Sequence, residues 1–94
     1  MEEALNYFNQ ALDLKPTDAQ IYFNLGLIYE RLGDQPKSLK AFSIALNLRP
    51  EWVEARMRVA VANAQHGRCA DALKLIDESP VKDSRFQQII DHCR

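Results

Sequence analysis

The chain has 94 residues, enough for one domain with a modest core and too few for a second. Hydrophobic residues supply 47% and charged residues 27%, a balance that excludes wholesale disorder. Net charge is −1 with acids and bases interspersed, so no concentrated basic surface marks nucleic acid as a partner. No run approaches the roughly twenty apolar residues of a membrane span, so no membrane insertion is expected. The acidic start Met-Glu-Glu-Ala lacks the basic opening of a signal peptide, and the expected location is cytoplasmic.

Taken from the N-terminus, Ala4, Leu5, Phe8, Ala11 and Leu12 recur at helical spacing over Glu2 to Leu14, and Pro16 stops that helix. Thr17 or Asp18 is placed to cap a second helix, from about Ala19 to Leu32, by accepting the unpaired N–H groups of its first turn. Gly26 sits in its middle, where glycine costs about 1 kcal/mol against alanine, so close approach of a neighbouring helix is the expected compensation. Gly33 supplies the left-handed backbone that ends the helix, Asp34 caps the next, and Pro36 falls harmlessly in its first turn. That third helix carries Leu39, Phe42, Ala45 and Leu46 to about Leu48, and Pro50 closes it. A fourth is expected from about Trp52 to Gln65, then the turn His66-Gly67-Arg68, and a fifth from about Cys69 to Glu78, cut short by Ser79-Pro80. Asp83 is the expected cap of a last helix with Phe86, Ile89, Ile90 and Cys93 on one face.

A period runs beneath these elements. Ala4, Phe8, Ala11 and Pro16 recur thirty-four residues later as Ser38, Phe42, Ala45 and Pro50, Gly33 recurs as Gly67, and Leu5, Leu39 and Leu73 align. Such self-similarity means one supersecondary unit copied along the chain, each copy burying its apolar stripe against the next. The segment Tyr22, Leu25, Gly26, Tyr29, Gly33, Phe42, Ala45, Pro50 resembles a tetratricopeptide repeat, with Tyr22 for the frequent Trp and Ser38 for Ala. The resemblance implies an all-α, right-handed superhelical stack of antiparallel helix pairs with a C-terminal capping helix. Its expected parts are the second helix of a truncated repeat over residues 1–16, a complete repeat over 17–50, a degenerate repeat over 51–80 and a capping helix over 81–94. The third copy departs from the pattern, with Arg56 at the place of Tyr22 and Asn63 at that of Tyr29.

Nothing in the pattern points to catalysis, metal or cofactor. The glycines are placed by the repeat, and neither His66 nor His92 has an identifiable nucleophile and acid beside it. His66, Cys69, His92 and Cys93 could be joined into a zinc set only against the helical pattern, since adjacent residues point about 100° apart on a helix. The two cysteines therefore read as free thiols of a reducing compartment.

The implied function is protein–protein interaction, as a scaffold or adaptor that holds a peptide or helix in a concave groove. In the resembling family that groove is lined by the first helix of each pair. Helical faces turned from the packing residues assign it Gln20, Phe23, Asn24, Leu27, Glu30 and Arg31 from the complete repeat, and Glu54, Met57, Arg58, Val61 and Gln65 from the next. Asn24 and Arg58 fall where one subtype grips a terminal carboxylate, but Glu54 stands where that use requires a lysine, so a carboxylate clamp is not expected. Two other uses fit the same residues. The unpaired N-terminal helix, with Leu5, Phe8 and Leu12, could build a homodimer, or the segment could be a regulatory appendage of a larger enzyme.

Overall fold

The computed structural model describes residues 2–14 and 17–93, without the side chains of Glu2, Phe8 and Leu12. Among the described residues there are six α-helices and no strand: α1 (Glu2–Leu14), α2 (Ala19–Arg31), α3 (Gln35–Leu48), α4 (Val53–Gln65), α5 (Cys69–Asp77) and α6 (Phe86–His92). The expected stop at Pro16 and the packing roles of Phe8 and Leu12 lie outside the described residues. The chain divides into two compact units, residues 1–49 and 50–94, at the proline that closes the complete repeat.

In the first unit α2 and α3 form an antiparallel hairpin whose ends are fixed by local chemistry. Asp18 Oδ1 accepts from the Gln20 N–H at 3.0 Å and Asp34 Oδ1 from the Lys37 N–H at 3.2 Å. Each cap contributes about 1 kcal/mol. Between the helices Gly33 adopts φ 79°, which lets its own N–H reach Glu30 O at 3.1 Å and the Asp34 N–H reach Tyr29 O at 2.9 Å. Carbonyls orphaned at the end of α2 are thereby paired.

The hairpin closes around Gly26. A Cβ there would lie 2.6 Å from Cε1 of Phe42, so only the bare backbone admits that ring. Phe42, Ala45, Leu25 and Leu46 are buried with it, and Phe23 meets Phe42 edge to face with centroids 5.2 Å apart. Ser38, at an alanine place in the repeat, is buried without penalty because its hydroxyl donates to Gly26 O at 3.0 Å. Against α2 lies α1, with Ala4, Leu5 and Ala11 half-buried while Tyr7 and Leu14 stay exposed.

The second unit repeats the hairpin with different means. Gly67 (φ 76°) makes the same turn, with Arg68 N–H donating to Asn63 O at 2.7 Å. Neither α4 nor α5 has a side-chain cap, because Trp52 and Arg68 stand thirty-four residues after Asp18 and Asp34. Helix α5 has 9 residues against 14 in α3, since Pro80 would clash with the turn before it. Arg56, only 6% exposed, spans the gap: its guanidinium donates to Leu75 O near the end of α5 at 2.8 Å and to Pro50 O at 2.9 Å, while Nε has no partner. The arginine at the aromatic place of the repeat thus ties down a shortened helix.

Two expectations are corrected here. Cys69 and Cys93 are not free thiols but form a disulfide, with Cα atoms 5.3 Å apart, well inside bridging range. In the sequence they fall in separate helical patterns, 24 residues apart. The fold returns α6 alongside α5 and brings the start of one to the end of the other. Asp83 does not cap α6 directly: it accepts from the Arg85 N–H at 2.8 Å, a turn that precedes the helix start at Phe86. The stripe itself is as expected, with Phe86 and Ile89 buried on Ala60, Ala64, Ala72 and Ile76.

Candidate partner-binding site

The predicted groove residues fall on two helices, one in each unit. On α2, Gln20, Glu30 and Arg31 are exposed, and Phe23, Asn24 and Leu27 are partly so. Gln20 Nε2 donates to Asn24 Oδ1 at 3.2 Å, one turn along the same face. Phe23 and Leu27 are likewise one turn apart, and the contact with Phe42 fixes the Phe23 ring. This is a preorganised apolar pair with amide and charged groups around it, an arrangement able to receive a side chain from another protein.

On α4 the corresponding residues have a neighbour. Met57 and Val61 pack partly buried against the α4–α5–α6 core. Glu54 is 2.7 Å from Arg85, which Asp83 holds on its other side at 2.7 Å. That arginine donates from its side chain and its backbone to Asp83, and lowers the carboxyl from the ordinary 3.8 to about 2; paired with two acids, its own pKa is raised. Arg58 and Gln65 are exposed. Met57 and Val61 thus border the core that α6 closes in their own unit, and Phe23 and Leu27 are partly buried to the same degree on α2.

Sequence reasoning missed three features. The Arg85 bridge and the disulfide depend on where α6 folds back, for which no local spacing is a signal. A cleft between α2 and α3, lined in part by Tyr22, Tyr29 and Lys40, was legible only by following the repeat register around the helix to a face not considered. No helix of the described residues is long and apolar enough to cross a membrane, and no group of three metal-ligating side chains is found among them.

Two family models match the chain, one described as TPR repeat over residues 1–33 and one as Tetratricopeptide repeat over residues 19–52. The chain is similar to the mitochondrial import receptor subunit TOM70 of Saccharomyces cerevisiae, 38% identical over 72 residues, which is 77% of this chain and 12% of that protein. It is similar to the Hsp70-Hsp90 organizing protein of Triticum aestivum, 25% identical over 92 residues, 98% of this chain and 16% of that protein. A probable biofilm formation methyltransferase, WspC of Pseudomonas putida, is 34% identical over 74 residues, 79% of this chain and 18% of the enzyme. The chain thus spans less than a fifth of each of these relatives, and similar segments occur in proteins with quite different names. With two matched models, a thirty-four-residue register and paired helices around Gly26 and Phe42, the chain belongs to the tetratricopeptide repeat family.

Proposed function

We propose that this chain is a protein-interaction segment that takes a peptide or helix of its partner on the exposed face of α2. The observation that carries the reading is the Phe23–Leu27 pair, apolar yet only partly buried, with Gln20, Asn24, Glu30 and Arg31 around it. An isolated exposed leucine means little, but a ring held edge to face on Phe42 beside a leucine is a rigid anchor that costs little entropy to bind. On α4, Glu54, Arg58 and Gln65 are the polar counterparts, and Met57 and Val61 pack on the core of their own unit. The relatives, named as a receptor subunit and an organizing protein, support an interaction role without naming a partner for this chain.

The test is capture of a partner peptide by the intact chain and by Leu27→Asp. The variant is expected to keep its helical circular dichroism and to lose capture by at least about tenfold, as for a central anchor. Unchanged capture would remove α2 from the site. Exposure of both Tyr7 and Leu14, which share one side of α1, favours a second reading in which two copies pair through that helix. Sedimentation should then show dimers that Leu14→Glu dissociates, and a monomer at high concentration would end that reading.

A further inference from the structure

Each hairpin carries a cleft on the side of its first helix that turns away from the Phe23–Leu27 face, and the two clefts are the same place in the repeat. The first, about 260 Å³, is lined by Leu25, Tyr29, Lys37, Lys40, Ala41 and Ile44 together with Tyr22. Adding thirty-four to each of those six gives Val59, Asn63, Asp71, Lys74, Leu75 and Glu78, which are the residues lining the second, about 340 Å³. Tyr22 becomes Arg56, whose guanidinium is held by the carbonyls of Leu75 and Pro50.

The clefts share geometry but not chemistry. The first has two tyrosines and aliphatic walls, with two lysines and no acid among the lining residues. Lys37 stands 5.7 Å from the Tyr29 ring centroid, held over its face by the ring's negative potential. It also lies 3.8 Å from Asp34, a solvent-exposed pair too weak to neutralise the rim. The second cleft has no aromatic lining and two acids against one lysine, Lys74, which is already 4.0 Å from Glu78.

We propose that the α2–α3 cleft is a second docking site, selective for an acidic peptide segment of a protein partner that inserts one large apolar side chain. The cleft falls below the roughly 300–1,000 Å³ of small-molecule pockets and suits a side-chain anchor. Tyr22, Leu25 and Ile44 take the anchor, and Lys37 and Lys40 select carboxylates flanking it. Tyr22 and Leu27 lie five residues apart, about 140° around α2, so this site and the Leu27 face are separately testable.

The probe is a fluorescein-labelled peptide with one phenylalanine between glutamates, compared by anisotropy with versions in which lysines replace the glutamates. The glutamate peptide is expected to bind the intact chain more tightly than the lysine peptide, and to weaken as salt rises. Lys40→Glu should weaken it about fivefold, removing an attraction and adding a repulsion. Lys74→Glu, the same change at the equivalent position, and Leu27→Asp should leave it within about twofold. Both lysines are exposed, so neither change touches the core. Equal binding of the lysine peptide, equal loss in both lysine variants, or loss only in Leu27→Asp would overturn the proposal.

Discussion

The two hairpins solve one architectural problem by different routes. The first is held by local caps and one close approach: aspartates cap both helices, and a glycine in mid-helix admits a buried phenylalanine ring. In the second, where the caps and all three aromatics of the first helix are replaced, stability comes from residues far apart: Arg56 on Leu75 O, Arg85 on Glu54, and the Cys69–Cys93 bridge. The lesson is that a repeat can drift from its pattern when long-range bonds replace local ones. The drifted copy then depends on its terminal helix.

If that contrast is right, the largest effects come from cutting the long-range bonds. Cys93→Ser opens a loop of 24 residues, and loop-closure entropy puts the loss at about 3.5 kcal/mol in the oxidised protein. Denaturant unfolding with and without reductant should show that loss, and the variant should no longer respond to reductant. Arg56→Ala leaves two carbonyls without their charged donor and should cost about 3 kcal/mol, seen as faster hydrogen exchange at the end of α5 with α2 and α3 unchanged. The smallest effect is on acid stability. Asp83 is held at about 2 by Arg85, below its ordinary 3.8, so its contribution is complete above about pH 4 and fades as pH falls toward 2. The unfolding midpoint of the parent protein should therefore drop more between those values than that of Asp83→Asn.

These differences also explain what could be read beforehand. Helix number, caps at Asp18 and Asp34 and turns at Gly33 and Gly67 were legible because each is decided within a few residues, and the close approach at Gly26 because a glycine in mid-helix has to be compensated by packing. The early stop of α5 was legible for the same reason, proline being incompatible with the preceding turn. What stayed hidden was settled by the return of α6. The cysteines passed for free thiols, and the packing of Met57 and Val61 beside the Phe86–Ile89 stripe had no local signal. Arg56 was seen as a departure from the repeat, but its carbonyl partners lie 6 and 19 residues away, beyond any local pattern.

The central claim is that the hairpins are one unit built twice, with volumes exchanged at the closest approach: Gly26 faces Phe42 in the first, and Ala60 and Ile76 hold those places in the second. A double-mutant cycle on urea stability tests it directly. Gly26→Ala alone forces a methyl into the Phe42 ring and should cost about 1–2 kcal/mol despite the gain in helix propensity. Phe42→Ile alone should leave a void over Gly26. Together they recreate the second hairpin's pair, and the double variant should be more stable than the sum of the single losses by about 1 kcal/mol or more. Simple additivity would contradict the claim.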